Sequence, residues 1–360
     1  MTSPGPRWPD PVVRPRRTYD PRANFSSNEL IHPAVGDLVA GLVADFRPGT
    51  LTRYPVQDRA LDSAAKLFGR EEDEILLAPG SDSVIRLLVS AARELYGGRL
   101  VLQDPNYEAW TTAAALAGGW RVTRVRKPSD PARRWLNEMR VAAEASVSSI
   151  VAVSWPNGPD GHLPAWAELT ALAASCRARG HLLVIDGCYA GFSGDYRRLA
   201  QLAGPNCLVL FSWSKSFGLA GGRLATALAD GAIIRFLRAF GQESHVNTLM
   251  LQALCATPGR HRAFEQVWAD IAGTRETTRE WLAGRAVHAP PSGGNFLHVP
   301  CESEFTAKKL TTELSTRGFR VRDMGDTPGL QHHVRFTVGH GPEHMRFLHS
   351  LDPLLAFLDR

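Results

Sequence analysis

The stretch Ser212-Trp213-Ser214-Lys215-Ser216-Phe217-Gly218-Leu219-Ala220-Gly221-Gly222-Arg223 is the most informative part of this chain. The apolar run Leu-Val-Leu-Phe at 208–211 leads into it and is typical of a buried strand. A second apolar run, at 181–185, ends at Asp186, and Tyr189 follows three residues later. Two predicted strand ends therefore carry a lysine and an acid. In open α/β sheets, the strand ends are where ligands bind.

These groups suit the chemistry of one cofactor. The Lys215 amine can condense with an aldehyde to form a Schiff base, and once released it can move a proton. A carboxylate at Asp186 would keep a basic ring nitrogen protonated, which makes the ring an electron sink. Arg223 adds a cation for a phosphate. The cofactor that carries an aldehyde, a basic ring nitrogen and a phosphate is pyridoxal 5'-phosphate.

Further segments, in matching order, carry a resemblance to a known family. They are Asn-Phe-Ser-Ser-Asn-Glu at 24–29, Arg-Tyr-Pro at 53–55, Ala-Pro-Gly-Ser-Asp at 78–82, Asp-Pro-Asn-Tyr at 104–107, Asp-Gly-Cys-Tyr at 186–189 and Val-Arg-Phe-Thr-Val-Gly at 334–339. With the lysine stretch, they resemble the fold-type I pyridoxal-phosphate-dependent aminotransferases, most closely the histidinol-phosphate aminotransferase-like branch. The resemblance covers most of the chain, and the order of the motifs is more specific than any one of them.

The resemblance implies a role for each matching residue. Lys215, Asp186 and Tyr189 would be catalytic, with Tyr189 bonded to the ring hydroxyl. Tyr54 would reach the phosphate of the neighbouring subunit, which implies a homodimer. Arg335 would bind the substrate α-carboxylate with its two-pronged donor set, and Asn28 would also contact substrate. Beyond the catalytic three and Tyr54, the expected cofactor contacts are Gly80, Ser81 and Asp82 at a helix start, Tyr107 stacked on the ring, Asn157, Ser212, Ser214 and Arg223.

One loop departs from the family pattern N-P-N-N-P-T-G. The chain reads Ser-Trp-Pro-Asn-Gly-Pro-Asp-Gly at 154–161, so Gly158 replaces the asparagine that normally donates to the ring hydroxyl. Asn157 lies one residue too early unless the loop shifts. We interpret this as an adaptation away from ordinary transamination or ordinary substrates, with a tolerated substitution as the alternative. Gly187, where the family commonly has glutamate, leaves room beside the cofactor.

The leading function is that of a pyridoxal-phosphate-dependent aminotransferase acting on an amino acid or amine through a Lys215 Schiff base. The first alternative is another reaction on the same scaffold: a lyase, decarboxylase or cyclase in a biosynthetic pathway, performing decarboxylation, β/γ-elimination or replacement, or cyclisation. A regulatory or binding protein is the second alternative, and the intact Lys215 argues against it. The polar residues left without a role are Arg53, His245, His298 and Arg322.

The hydrophobic pattern predicts an α/β fold-type I architecture. Seven candidate strands at 75–78, 100–102, 121–125, 150–153, 182–185, 208–211 and 224–228 alternate with helices such as 166–178, which indicates a mostly parallel seven-stranded sheet with helices on both faces. A smaller α+β domain follows, with a long helix at 263–282, strands at 295–299, 319–322 and 334–338, and helices at 303–317 and 343–357. The expected division is an N-terminal arm and part of the small domain (1–50), a large cofactor-binding domain (51–255) and a small C-terminal domain (256–360).

Composition limits the remaining possibilities. The 360 residues are 44% hydrophobic and 21% charged, which is ordinary for a soluble globular protein. The net charge of +5 is not accompanied by a nucleic-acid-binding motif, so no nucleic-acid partner is expected. Five scattered cysteines, no apolar run long enough for a bilayer and no leader predict a cytoplasmic protein without membrane association. Pro342, expected to begin a helix, separates His340 from His344, so no metal site is expected there.

Overall fold

The structure, a computed structural model, describes residues 19–130, 133–145, 147–241 and 246–356. Residues 1–18 of the predicted N-terminal segment (1–50), His245 and the predicted helix end at Phe357 lie outside the described residues. The helices are α1 Val35–Val43, α2 Asp58–Phe68, α3 Ser81–Ala91, α4 Ala109–Ala117, α5 Trp135–Glu144, α6 Trp166–Ala178, α7 Tyr196–Ala200, α8 Trp213–Ser216, α9 Gly231–Phe240, α10 Thr248–Ala256, α11 His261–Ala283, α12 Glu304–Thr316 and α13 Pro342–Leu355. The strands are β1 Ala23–Asn24, β2 Ile75–Ala78, β3 Arg99–Asp104, β4 Arg121–Arg126, β5 Ile150–Ser154, β6 Leu182–Asp186, β7 Cys207–Ser212, β8 Ala225–Leu228, β9 Phe296–Pro300, β10 Phe319–Arg320, β11 Arg322–Asp323 and β12 His333–Thr337.

The large sheet confirms the predicted mostly parallel seven-stranded architecture. Its strand order is β2-β8-β7-β6-β5-β3-β4, and β8 runs antiparallel to both of its neighbours. The other pairs are parallel. Every residue of β5 and β6 is buried, because helices cover both faces of the sheet and a parallel strand there must be apolar on both sides.

Side chains along each central strand point alternately to the two faces of the sheet, and each face forms its own hydrophobic core. On β6, Leu183 and Ile185 join the core that includes residues of α2, α5, α6 and α10, whereas Leu182 and Val184 join the core that includes residues of α3, α4 and α9. Successive side chains of a strand point to opposite faces, so one apolar run supplies both layers. This packing leaves the carboxyl ends of the strands free to form a site.

A third core joins the chain's N-terminal strand to its C-terminal elements. β9, β12 and β11 form an antiparallel sheet, and β1 pairs in parallel with β10. The prediction of a single strand at 319–322 was wrong. The segment is split at Val321, because 319–320 pairs with β1 while 322–323 pairs with β12. The domain bounds given above stay a prediction.

Two smaller expectations concern the helices. Pro342 is the first residue of α13, as predicted, where its missing N–H costs nothing. Among the described residues, no helix combines the length and apolar character needed to cross a membrane.

Candidate active site

A cavity of about 950 Å³ opens at the carboxyl ends of the parallel strands. The final residues of β3, β5, β6 and β7 line it, as do residues of β11, β12 and the segment after β1. The predicted site residues that line this cavity are Ser81, Asp82, Tyr107, Asp186, Tyr189, Ser212, Ser214, Lys215, Arg223 and Arg335. Residues separated by more than 250 positions in the sequence therefore meet in one place.

Lys215 lies on the short helix α8, directly after β7. Ser212, the last residue of β7, caps this helix by accepting a hydrogen bond from the Ser214 amide at 3.3 Å. The Lys215 Nζ donates to the carbonyl oxygen of Ser27 across the cavity. The strand end and the cap thus hold the amine inside the cavity, facing the N-terminal segment.

Asp186 is the last residue of β6 and is 5% exposed. Its Oδ1 accepts a hydrogen bond from the Cys188 amide at 3.1 Å. Burial raises the pKa of the Asp186 carboxyl, and its hydrogen bonds with Cys188 oppose that rise. A cation placed beside this carboxyl would favour its charged form. Asp186 therefore suits a basic ring nitrogen. Burial also raises the pKa of the neighbouring Cys188 thiol, which keeps it protonated.

Gly80 allows an anion cradle to form before helix α3. Its φ is +90°, and a Cβ there would lie 2.6 Å from the Arg223 Nη2. Only glycine admits both this backbone conformation and the guanidinium. Arg223 also donates to Ser214 Oγ at 3.4 Å and lies 3.7 Å from an Asp82 carboxylate oxygen. The amides at the start of α3 and the adjacent guanidinium suit a phosphate, so the residues present fit the cofactor.

Tyr107 borders the same cradle. Its hydroxyl donates to Asp82 Oδ1 at 2.7 Å, which fixes the ring at the cavity wall. Tyr107, Asp82 and Arg223 therefore form one connected rim. This placement agrees with the predicted stacking of Tyr107 on a ring, which stays a prediction.

Tyr189 and Asn28 meet at the inner wall. The Asn28 Nδ2 donates to the Tyr189 phenol oxygen at 2.9 Å. Asn28 has a φ of +54°, and its amide N–H donates to Thr337 Oγ1 at 3.0 Å. Burial raises the pKa of Tyr189, while the positive charge of Arg335 and the hydrogen bond from Asn28 oppose that rise. Asn28 is buried and contacts Tyr189, and it is absent from the cavity lining itself.

Asn157 and Gly158 face different surroundings. The Asn157 Nδ2 donates to the Pro105 carbonyl at 3.0 Å and to Gln103 Oε1 at 3.3 Å, so this buried amide faces the protein and does not line the cavity. Gly158 lines the cavity instead, and a Cβ there would make an ordinary contact with the Tyr189 ring at 3.4 Å. The side chain that would face the ring hydroxyl is therefore missing at 158, and Asn157 does not take its place in this structure.

Arg335 is held in place while part of its guanidinium stays unpaired. Nη1 donates to the Gly158 carbonyl at 3.1 Å and Nη2 to the Ser26 carbonyl at 3.5 Å. The guanidinium lies 5.1 Å from the centre of the Phe296 ring, and the buried Nε has no partner among the described residues. Burial lowers the pKa of Arg335 from its ordinary value. The positive charge and the unpaired Nε–H donor suit an anionic group.

Arg322 is a functional candidate that the sequence left without a role. It is the direct cross-strand neighbour of Arg335 in the β11–β12 pair, and both side chains line the cavity. Asp326 accepts a hydrogen bond from its Nη2 at 2.5 Å. The sheet register, which local motifs do not reveal, brings this second guanidinium to the same end of the cavity as Arg335.

Tyr54 lies away from this cavity. Its side chain is 88% exposed, and the neighbouring Leu51 and Val56 are 61% and 72% exposed. Tyr54 therefore contributes nothing to the site of its own subunit. Its predicted contact with a neighbouring subunit stays a prediction.

The sheet, the strand-end lysine and aspartate and the anion cradle are those of a cofactor-dependent transferase. The chain belongs to the aminotransferase class I and II family, whose family model matches residues 24–349. Within that family it is a pyridoxal-phosphate-dependent enzyme of the histidinol-phosphate aminotransferase-like branch. This result confirms the cofactor and the class of enzyme predicted from the motifs.

Individual relatives support this assignment. The chain is 27% identical over 337 residues to a histidinol-phosphate aminotransferase of Thermococcus gammatolerans, covering 92% of each chain. A histidinol-phosphate aminotransferase structure from Sinorhizobium meliloti, in complex with pyridoxal-5'-phosphate, superposes with a TM-score of 0.79 at 20% identity, covering 94% of this chain and 91% of that one. An L-threonine-O-3-phosphate decarboxylase structure from Porphyromonas gingivalis gives 0.74 at 20% identity, covering 94% and 100%. At these identities the two structures show the fold alone.

Proposed function

We propose that this aminotransferase uses Lys215 as its catalytic amine and transfers the amino group of an amino acid or amine whose anionic group binds at Arg335. The observation that carries the proposal is the meeting of Lys215, Asp186 and Arg335 in one cavity. When bound, pyridoxal phosphate supplies an aldehyde that reacts with amines and a ring that draws electrons from the substrate. Arg335 would orient the substrate by its anion, and the Lys215 Nζ would remove the proton from the substrate α-carbon and deliver it to the carbon that comes from the cofactor's aldehyde.

The other residues would hold the cofactor in position. The start of α3 with Gly80, together with Arg223, would bind the phosphate. Asp186 would keep the ring nitrogen charged. The Tyr189 hydroxyl would contact the ring hydroxyl, positioned from behind by Asn28. Because Asn28 bonds to Tyr189 and does not line the cavity, we assign it a positioning role here, in place of the substrate contact that the motif suggested.

The nature of the substrate anion follows from the paired arginines. Arg322 and Arg335 are cross-strand neighbours, so an anion at the substrate end faces two guanidinium groups. Arginine binds both carboxylate and phosphate in a two-pronged manner. The relatives named for histidinol phosphate act on an amine that carries a phosphate. We therefore propose a substrate with a carboxylate or a phosphate at this end.

We further propose a homodimer in which Tyr54 reaches the partner's site. The support is the exposed aromatic and aliphatic surface formed by Leu51, Tyr54 and Val56, since apolar patches on one segment mark contact surfaces. We also propose that the protein is cytoplasmic and that its partner is a small-molecule substrate. Its support is that all five cysteines are unpaired thiols, as expected in a reducing compartment.

The test is a half-reaction. The protein is purified with pyridoxal phosphate and mixed with single amino acids or amines without a keto acid, and the cofactor and products are identified by mass spectrometry. Formation of pyridoxamine phosphate with the matching keto compound supports the proposal. Lys215→Ala is expected to slow this conversion by at least about 10³-fold, since general acid–base catalysis alone contributes 10²–10⁴. Lys66→Ala, an exposed lysine on α2, is the control. Full activity of Lys215→Ala would exclude the proposed role.

A second reaction is favoured by one observation. Gly158 leaves the wall beside Tyr189 without the side chain that the family pattern places there. A decarboxylase, lyase or cyclase would return the cofactor unchanged and release an altered product in the same experiment. That outcome would replace transamination with the alternative chemistry.

A further inference from the structure

A cluster of metal-ligating side chains lies outside the active-site cavity. His32, Asp270 and His340 each offer one ligand atom, and these three atoms lie within 4.8 Å of one another. They come from the N-terminal segment, from α11 and from the turn after β12. All three side chains are half-buried, so an ion could reach them and keep a water ligand. We propose that this cluster binds one divalent transition-metal ion of the Zn²⁺ type.

The hydrogen bonds of His32 direct one ring nitrogen at Asp270. The Ala34 amide donates to His32 Nδ1 at 3.1 Å, so Nδ1 is the unprotonated nitrogen of the neutral ring. Nε2 lies 3.2 Å from Asp270 Oδ2. Two ligand atoms bound at about 2.0–2.1 Å in a tetrahedral zinc site lie roughly 3.3 Å apart. A metal ion can therefore replace the Nε2 proton while this pair keeps its spacing.

The hydrogen bonds of His340 leave its other nitrogen available. Thr274 Oγ1 donates its hydrogen to the Asp270 carbonyl at 2.8 Å, so at His340 Nδ1, also 2.8 Å away, it must accept. Nδ1 therefore carries the proton of the neutral His340 ring, and Nε2 has a lone pair with no hydrogen-bond partner among the described residues. Such a donor on the second ring nitrogen fixes the tautomer of metal-binding histidines.

The supporting contacts are those of a built site. Gln266 Nε2 donates to Asp270 Oδ1 at 2.9 Å, which orients the carboxylate and leaves Oδ2 for the ion. The two histidine rings lie 5.0 Å apart between centroids, with 17° between their planes. A rotation of the His340 side chain that turns its Nε2 towards Asp270 would complete a set of two imidazoles and one carboxylate with bond lengths near 2 Å.

An ion at this position would connect the segments that carry two active-site residues. Asn28 precedes His32 by four residues, and Arg335 precedes His340 by five. The His340 amide already bonds to the Ile31 carbonyl at 2.9 Å, so the two segments run together. A bound metal would fasten both to α11 and stabilise the folded protein through mass action.

The test is Zn²⁺ binding to tag-free, cofactor-loaded protein by calorimetry after removal of metal with a chelator. We expect one Zn²⁺ per chain and a rise in melting temperature. His340→Gln and Asp270→Asn are expected to weaken binding by about 100-fold or more, and Gln266→Ala by roughly 10-fold, the range for outer contacts. His349→Gln, an exposed histidine on α13, is the matched control and should bind as the wild type does.

A second readout guards against misfolded variants. Co²⁺ in the wild type should give the visible absorption of a four-coordinate site with nitrogen ligands, and His340→Gln should lose it while its metal-free melting temperature stays close to that of the wild type. The proposal is overturned if the wild type binds no Zn²⁺, or if His340→Gln and Asp270→Asn bind it as tightly as His349→Gln does. Loss of transaminase activity alone would not bear on it.

Discussion

The side-chain Nδ2 of Asn28 donates a hydrogen bond to the phenol oxygen of Tyr189 at 2.9 Å, although the two residues lie 161 positions apart. Tyr189 lines the cavity in which the cofactor is expected to bind. With Gly158 in place of the family's asparagine, the proposed function would make this phenol the main donor to the ring hydroxyl of the cofactor. We therefore expect Asn28 to influence the cofactor from outside the cavity, through Tyr189.

The Asn28–Tyr189 pair can be tested with a double-mutant cycle. Asn28→Ala should weaken cofactor binding by about 2–10-fold, the value of one hydrogen bond, and should shift the absorbance of the bound cofactor. The reason is that Tyr189 loses the donor that opposes the rise of its pKa. In a Tyr189→Phe background the same change should have little effect. Additive losses of affinity would show that Asn28 acts on something other than Tyr189.

Gly158→Asn would restore the side chain of the family pattern. A Cβ at 158 would make an ordinary 3.4 Å contact with the Tyr189 ring, so this position tolerates a β-carbon. We expect the cofactor to bind about 2–10-fold more tightly, through one added hydrogen bond. Equilibrium binding of pyridoxal phosphate is the measurement, and Gly273→Asn is the control, because a Cβ at 273 would have no neighbour within 4 Å. Weaker binding would indicate that the loop has reorganised around glycine.

Arg335→Lys tests the substrate anion. Lysine keeps the charge and loses the two-pronged geometry, so KM for the amino donor should rise by roughly 10–100-fold, the range for a hydrogen bond to a charged group. The rate at saturating donor should change less, because Lys215 is untouched. Steady-state kinetics provide the measurement, and Arg346→Lys on the exposed face of α13 is the control. An unchanged KM would place the substrate anion elsewhere.

His344 predicts how stability depends on pH. Burial lowers the pKa of His344 from 6.5 to about 4. The neutral ring is satisfied on both sides: Nδ1 accepts from the Gly339 amide at 3.4 Å, so Nε2 donates to Thr278 Oγ1 at 2.9 Å. Protonation would set two donors, Nδ1–H and the Gly339 N–H, against each other.

The sign of this effect follows from the lowered pKa. The unfolded chain binds the proton first, so the stability contributed by neutral His344 is complete above pH 6.5 and is lost as pH falls towards 4. The loss is about 3 kcal/mol at most. Denaturant unfolding at pH 7 and pH 4.5 should show a smaller decrease for His344→Gln than for the wild type or His349→Gln. Equal decreases in the free energy of unfolding for all three proteins would contradict this assignment.

Much of the site could be predicted because its chemistry is local in sequence. Lys215 follows a buried strand and Asp186 ends another, and the apolar runs that define these strands are unambiguous. The glycine at 80 could likewise be recognised, since a helix start that binds an anion needs a backbone that side chains would obstruct.

Other parts of the site depend on contacts between distant segments. Arg322 could not be placed, because the predicted strand 319–322 is in fact divided between two sheets, and only its last residue pairs beside Arg335. The position of Asn157 could not be foreseen either, since its amide is occupied by Gln103 and Pro105, some 50 residues away. Motifs record which side chains are present, but they do not record their partners.

The sequence by itself determined the α/β fold, the cofactor and the class of enzyme, because strand periodicity and strand-end chemistry are properties of short segments. Only the tertiary structure decided that Asn28 supports Tyr189, that Arg322 joins Arg335, and that His32, Asp270 and His340 converge. The physical reason is that these relations arise from sheet register and from the packing of the N-terminal segment against α11. Many distant contacts act together to set both, and no local pattern encodes them.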